Sequence, residues 1–165
     1  MEALDCIMSR RSVRFYLSNP IEKEKVDTIL QAAICAPSGK NGQPWKFKVV
    51  TDKETIEQIS KFTVLSRWMK NAPCVIFVWL DKNLSYDYTK DCQSCGASIQ
   101  NILLAANSLS LGSCWIGEIV ANADKVKEIL NISDVSFELM AAISLGYPPK
   151  VVEKTARKDI ESFLI

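Results

Sequence analysis

The stretch "CAPSGKNGQPWKFKVV", Cys35–Val50, determines how helix and strand alternate in this chain. The apolar residues before it recur with the spacing of one helix face: Val26, Ile29, Leu30 and Ala33. Because the residue before a proline disfavours helical backbone, we expect that helix to end before Pro37. The apolar residues after it alternate with polar ones, which predicts a strand with one buried face: Trp45, Phe47 and Val49.

The loop inside this stretch contains more special residues than a simple turn needs. Gly39 and Gly42 allow unusual backbone angles and close approach of a ligand. Hydrogen-bonding side chains are present at Ser38, Asn41 and Gln43, and prolines stiffen both ends of the loop. An amide-rich, rigid loop of this kind suits a flat heteroaromatic molecule with several carbonyls and ring nitrogens. The alternative is an ordinary connection between a helix and a strand.

The remaining periodicity extends this alternation along the chain. Helices are predicted over residues 2–9, 21–36, 53–60, 64–71, about 86–109, and 122–130 with Asn122 as N-cap. Strands are predicted over residues 44–50, 74–80 and 137–146, and residues 112–119 form a short strand or loop. This order predicts a single α+β domain, residues 1–165, built on a small central sheet.

The helix over about residues 86–109 is apolar on much of its surface. One stripe consists of Ile99, Ile102, Leu103 and Ala106. The stripe is widened by Ala97, Leu104 and Ala105. Such a helix is buried centrally or in a subunit interface. Since a small sheet covers only part of this surface, we expect the surplus around Ile102 and Leu103 to meet a second copy of the chain.

Composition excludes several classes of protein. The 165 residues are 48% hydrophobic with a net charge of +1, which favours a folded protein without a nucleic-acid or membrane partner. Apolar runs are too short to span a bilayer, and the N-terminal basic cluster follows the apolar residues instead of preceding them. A cytoplasmic protein is therefore expected. The absence of histidine excludes Ser-His-Asp and Cys-His nucleophiles and histidine-ligated metals.

The pair in "CQSC", Cys92 and Cys95, has the spacing of a redox or metal site. Metal sites usually need a second pair or histidines, and neither is present at a suitable spacing. We interpret the pair as two helix positions one turn apart and predict no metal site. A thiol switch is the alternative.

Two basic segments are candidates for binding phosphate. In "RRSVRF", an extended backbone would point Arg10, Ser12 and Arg14 to one side, where guanidinium groups suit phosphate oxygens. In "EKTARKDI", Arg157 and Lys158 could add charge at the same place. A solvated basic turn and a solvated tail are the respective alternatives.

A third segment, "LGSCWIGEI", carries Gly112 and Gly117 on either side of a short apolar run. Backbone of this kind can lie against a planar ring and offer it an N–H group. The alternative is a buried edge strand.

Taken together, four motifs resemble the FMN-dependent nitroreductase family. They are "RRSVRFY", "AAxxAPSGxNxQPWxFxVV", "ASIQNILLAANSLSLGSCWIG" and "LGYPP…ARK", in that order over essentially the whole chain. The resemblance implies a mostly antiparallel sheet flanked by helices and an intertwined homodimer. It also implies two FMN molecules in the dimer interface and a C-terminal tail, from about residue 147, that packs on or across the dimer.

The resemblance also assigns residues to the flavin. The phosphate and the ribityl-pyrimidine end would be bound by Arg10, Arg11, Ser12 and Arg14. The other subunit would contribute Pro37, Ser38, Gly39 and Asn41. The ring, with a backbone N–H near flavin N5, would lie along Trp115, Ile116, Gly117 and Glu118. The residues that close on the phosphate would be Arg157 and Lys158.

The implied activity is transfer of a hydride from NAD(P)H through flavin N5 to a nitroaromatic, a quinone or a similar acceptor. The flavin carries this chemistry, so no side-chain acid or base is needed, and Arg14 could stabilise reduced flavin electrostatically. Alternatives are reductive dehalogenation, flavin fragmentation, a non-catalytic flavin-binding or redox-sensing protein, and a structural dimer without cofactor.

The chain departs from the family in two respects. It lacks room for the extra helices that cover the flavin in longer members. An Asn and a Lys that some members place before the second strand have no counterpart that can be aligned in "VLSRWMKN", residues 64–71.

Overall fold

A computed structural model describes residues 1–150, 152–153 and 155–165. The α-helices in these ranges are α1 (Ala3–Ser9), α2 (Lys23–Ile34), α3 (Lys53–Ser60), α4 (Ser66–Met69), α5 (Tyr88–Ser108) and α6 (Ala123–Leu130). The strands are β1 (Trp45–Val50), β2 (Cys74–Asp81), β3 (Gly112–Ile116) and β4 (Phe137–Gly146). Short 3₁₀ turns cover Gly39–Asn41, Lys82–Leu84, Glu118–Asn122 and Ile160–Phe163. The predicted order of elements is confirmed.

The strands form one antiparallel sheet in the order β1-β2-β4-β3. Strand β2 is central and buried along its whole length, as its continuous apolar sequence predicts. Strand β4, which ends at Gly146, pairs with it from Phe137 to Leu145. The predicted α+β class with a small central sheet is therefore confirmed.

Helices cover both faces of the sheet and enclose two cores. Along β2, Ile76 and Val78 pack with residues of α2 and α5. The alternating residues Phe77 and Trp79 pack with residues of α3, α4 and α6 on the opposite face. Because side chains alternate across a strand, one apolar run serves both cores. None of the helices in the described ranges is long and apolar enough to cross a bilayer.

The apolar stripe of α5 serves the core of its own chain. Ile102 and Leu103 are almost fully buried within a single chain, against α2 and the sheet. The expectation that these two residues meet a second copy is therefore wrong, because the sheet covers more of the helix than its size suggested. Exposed apolar side chains are found on α1 instead, among other places, at Leu4, Ile7 and Met8.

The residue before α6 does not cap it with its side chain. Asn122 occupies the N-cap position but makes no capping hydrogen bond, so that part of the prediction is wrong. Its amide nitrogen instead donates to the carbonyl oxygen of Phe62 at 2.9 Å. The Asn122 Oδ1, the atom that would cap the helix, accepts from Lys125 Nζ at 3.2 Å. The contact with Phe62 ties the segment between α3 and α4 to the chain that follows β3.

The stretch after α1 is docked on the outer edge of β3. Ser12 forms a parallel bridge with Ser113, and the N–H of Val13 donates to the carbonyl oxygen of Ser113 at 2.9 Å. The hydroxyl of Tyr16 donates to the carbonyl oxygen of Val13 at 2.6 Å. Gly112 leaves room for Val13, because a Cβ at residue 112 would lie 2.6 Å from the Val13 Cβ. Residues 10–14 are thereby held along β3.

We expect Gly112→Ala to lower the free energy of unfolding by about 1–3 kcal/mol, since the new methyl group overlaps the Val13 side chain. Urea denaturation measures the change. Gly96→Ala is the matched control. A Cβ at residue 96 of α5 meets no atom within 4 Å, so this variant should gain about 0.5–1 kcal/mol. Equal stability of the two variants would contradict the packing argument.

Candidate functional site

A positive cluster beside β3 is formed by three arginines, Arg10, Arg11 and Arg157. Partial burial, followed by the positive charges of Arg157 and Arg11, lowers the pKa of Arg10. Within the described ranges, no ion pair links any arginine of this cluster to a carboxylate. The cluster therefore carries uncompensated positive charge that an anionic group can neutralise.

Arg11 has a structural role and one donor left over. Its Nη1 donates to the carbonyl oxygens of Met8 at 2.9 Å and Arg10 at 2.6 Å, at the C-terminal end of α1. Its Nε is buried and has no hydrogen-bond partner among the described residues. A buried donor without a partner costs roughly 1–3 kcal/mol, so a phosphate oxygen reaching this nitrogen would remove a penalty.

The charges of Arg10 and Arg14 both act on the Cys114 thiol of β3. Burial raises the pKa of Cys114, and the charges of Arg14 and Arg10 oppose that rise. The Arg14 side chain is exposed, with its guanidinium carbon 4.6 Å from the centre of the Trp68 ring. Ser12 is partly buried between them. Both arginines thus lie near enough to Cys114 for their charges to act on the same position of β3.

The end of β3 presents mainly backbone and one aromatic side chain. Trp115 is 41% exposed, whereas the Ile116 side chain is fully buried in the core. Ile116 can therefore meet a ligand only through its backbone. Gly117 carries no side chain, and Glu118 accepts a hydrogen bond from the hydroxyl of Thr63. This surface can support a flat ring.

The strained backbone in and directly after the Pro37–Asn41 loop belongs to residues other than glycine. Lys40, Asn41 and Gln43 have left-handed backbone, with φ of 53°, 54° and 47°. Gly39 and Gly42 do not, so the conformational freedom of these two glycines is not used. Gly39 is required for another reason: a Cβ there would lie 2.1 Å from the Tyr86 hydroxyl. Close approach is needed, but to a tyrosine of the same chain.

Internal hydrogen bonds hold this loop in its strained form. The Ser38 hydroxyl accepts from the N–H of Gln43 at 3.0 Å, and the N–H of Asn41 donates to the Ser38 carbonyl at 3.0 Å. The Lys40 ammonium lies 4.7 Å from the centre of the Tyr86 ring. Left-handed backbone costs a non-glycine residue roughly 1–2 kcal/mol, and such strain is typically retained at functional sites.

The two predicted halves of the site lie at opposite ends of α5. The loop contacts Tyr86, just before the helix begins. The arginine stretch follows α1, whose Cys6 thiol donates to the Leu104 carbonyl at 3.2 Å and whose Cys6 carbonyl accepts from Asn107. Because α5 has 21 residues, its ends are about 30 Å apart. One chain therefore does not bring the loop and the arginines around one small ligand.

The two basic residues predicted to close on the phosphate, Arg157 and Lys158, are both exposed. The described part of the tail packs little against its own chain. Ile160, Phe163, Leu164 and Ile165 are all exposed. The predicted tail, from about residue 147, falls partly outside the described ranges.

The "CQSC" pair lies on α5, and its second cysteine is part of the core. Cys95 is fully buried against Ala36, Trp45 and Leu80. Burial, with smaller contributions from the charges of Cys92 and Asp91, raises the pKa of Cys95 to about 12. A thiol that stays protonated is a poor nucleophile and metal ligand. No cluster suited to a metal ion occurs among the described residues.

Sequence analysis missed two residues of this region, Trp68 and Thr63. For Trp68, the only signal in the sequence that could have indicated a role was an indole in a four-residue, otherwise mostly polar helix. Both residues reach the site through contacts with Arg14 and Glu118, which are more than 50 residues away in sequence. Local periodicity carries no information about such contacts.

A family model described as "Nitroreductase family" matches residues 7–66 and 61–147. A protein of Archaeoglobus fulgidus, provisionally named an NADH dehydrogenase/NAD(P)H nitroreductase, is 39% identical over 151 residues, covering 89% of this chain and 86% of its own. The FMN reductase [NAD(P)H] of Bacillus subtilis is 27% identical over 175 residues, covering 95% and 69% of the two chains.

Solved structures point the same way. A protein of Desulfovibrio desulfuricans, provisionally named a nitroreductase and crystallised in complex with FMN, superposes with a TM-score of 0.93. It is 35% identical in sequence, and the match covers 98% of this chain and 94% of the other.

Proposed function

Since this chain belongs to the nitroreductase family, we propose that it is an FMN-dependent oxidoreductase. It takes a hydride from NAD(P)H and passes it to a small acceptor such as a nitroaromatic or a quinone. The names of its relatives and the FMN complex of its structural neighbour support this proposal. The observation in the chain itself that carries it is the uncompensated arginine cluster around Arg10, beside a strand end suited to a flat ring.

The residues present fit FMN. Its phosphate would lie against Arg10 and Arg157, where it would neutralise their mutual repulsion and satisfy the buried Nε of Arg11. Lys158 would add charge at the rim. Arg14 would face the pyrimidine end of the flavin. The ring would lie along Trp115 to Glu118, with backbone N–H groups directed at it.

The chain contributes binding and electrostatics to the reaction. FMN, when bound, supplies the atom that accepts and donates the hydride. Arg14 would stabilise negative charge at the pyrimidine end of the flavin. A backbone N–H near Gly117 would hydrogen-bond to the ring, so no side chain is needed for that contact. The chain needs no histidine because no side-chain acid or base takes part in hydride transfer.

We also propose that the protein is an intertwined homodimer in which each flavin touches both chains. Because α5 separates the arginine stretch from the strained loop, the loop can complete only a partner's site. The exposed apolar residues of α1 and of the tail provide surface for such an interface. Pro37, Ser38, Gly39 and Asn41 would then reach the flavin of the other subunit.

The proposed activity predicts a visible reaction. The purified protein should be yellow, and anaerobic NADH or NADPH should bleach its absorbance near the flavin maximum. Adding a nitroaromatic or a quinone should restore the colour with turnover. Colourless protein that does not bind added FMN would overturn the proposal. Yellow protein that neither nicotinamide bleaches would favour a non-catalytic flavin-binding protein.

We expect Arg10→Ala to weaken FMN binding by about 10- to 100-fold, because it removes a charge-assisted contact to phosphate. Riboflavin, which lacks the phosphate, should bind the variant and the wild type equally. Quenching of flavin fluorescence measures both affinities. Lys48→Ala, which removes an exposed cation from β1, is the matched control. Equal losses for FMN and riboflavin would place Arg10 away from the phosphate.

A shared site predicts complementation between two inactive variants. Arg10→Ala and Asn41→Ala should each weaken FMN binding. Asn41→Ala should do so because its loop contacts the FMN of the partner subunit. Unfolding and refolding an equal mixture should restore about a quarter of the FMN sites, because half of the dimers are mixed and each has one intact site. Refolding each variant alone is the control. No recovery in the mixture would show that the loop and the arginines do not serve one site.

A further inference from the structure

The segment between α3 and β2 contains Trp68, whose contact with Arg14 is not implied by the family resemblance. Helix α4 has the sequence "SRWM", and its Trp68 ring lies under the Arg14 guanidinium at 4.6 Å. The resemblance offers no residue of "VLSRWMKN" for the flavin. We propose that Trp68 is a positioning residue that holds Arg14 toward the pyrimidine end of FMN. This inference rests on the proposed function.

Arg14 needs such a support. Its side chain is exposed, and no ion pair within the described ranges involves it. A free arginine side chain samples many rotamers, and binding a ligand must stop that motion. Stacking on an indole face restricts the guanidinium while leaving its N–H donors free to point at a ligand. Trp68 therefore organises Arg14 in advance of binding.

The short helix that carries the indole is anchored on both sides of Trp68. Met69, the next residue, is fully buried in the core beneath α4. On the other side of Trp68, the Thr63 hydroxyl donates to Glu118, and Asn122 donates to the Phe62 carbonyl at 2.9 Å. Both hydrogen bonds join the α3–α4 segment to the residues that directly follow β3. The backbone that carries Trp68 is thus tied to the expected ring surface.

A fixed guanidinium has a thermodynamic consequence. Negative charge on the pyrimidine end is larger in the reduced flavin than in the oxidised one. Arg14 therefore stabilises the reduced form more strongly, which raises the midpoint potential of the bound flavin. If Trp68 positions Arg14, removing the indole must lower both the FMN affinity and the potential, and it must do so through Arg14.

The test compares Trp68→Leu with Trp68→Phe, the second of which keeps an aromatic face. We expect Trp68→Leu to weaken FMN binding by about 2- to 30-fold, the range of a cation–π contact, and to make the midpoint potential more negative. Trp68→Phe should recover most of both. In an Arg14→Ala background, Trp68→Leu should change neither quantity further. Flavin fluorescence and redox titration are the readouts.

The control is Lys125→Ala, which removes another cation over an aromatic ring of the same segment, 5.2 Å from Phe62. This variant should bind FMN like the wild type. Thermal melting without FMN checks that each variant folds, and Trp68→Met replaces Trp68→Leu if the latter does not.

Three results would overturn the inference. The first is that Trp68→Leu has the FMN affinity and the midpoint potential of the wild type. The second is that Trp68→Phe loses as much affinity and potential as Trp68→Leu. The third is that Trp68→Leu lowers both quantities as strongly in the Arg14→Ala background as in the wild type. Each of them leaves the proposed function intact, provided that wild-type protein binds FMN and is bleached by NAD(P)H. A wild-type protein that does not bind FMN defeats the proposed function instead.

Discussion

The backbone pairing of Ser12 and Val13 with Ser113, on the outer edge of β3, is the contact on which the candidate site depends. It brings the charges of Arg10 and Arg14 close to Cys114, on the strand whose end carries Trp115 and is followed by Gly117. The pairing is possible because Gly112 leaves space for Val13. Charge and flat surface thus come together through two backbone segments that are about a hundred residues apart in sequence.

The second constraint is the length of α5. A helix of 21 residues is stiff, so it separates what packs at its two ends by about 30 Å. The strained loop at one end and the arginines at the other are each incomplete as a binding site. A second copy of the chain can supply the missing half, which is why cofactor binding and association are expected to stabilise each other. Although the net charge of the chain is only +1, the arginines beside β3 concentrate positive charge locally.

Most elements could be predicted because their residues follow simple periods. The apolar alternation and runs located α3 and β4 accurately, and the continuous apolar run of β2 predicted burial on both faces. The failures have physical causes. The side chain of Asn122 is engaged by Phe62, distant in sequence, and Ile102 and Leu103 are covered by their own sheet. The left-handed backbone lies at Lys40, Asn41 and Gln43, whereas Gly39 is needed for its close contact with Tyr86.

The sequence by itself determined the α+β class, the order of the elements and the motifs that identify the family, because these depend on local periodicity and on residue types at fixed spacings. Only the tertiary structure decided which of those motifs meet. It brought Arg10, Arg14 and Arg157 to β3, set Trp68 under Arg14, and left the Pro37–Asn41 loop at the far end of α5. Those distances result from packing between segments far apart in the chain, and the spacing of residues along a sequence carries no measure of them.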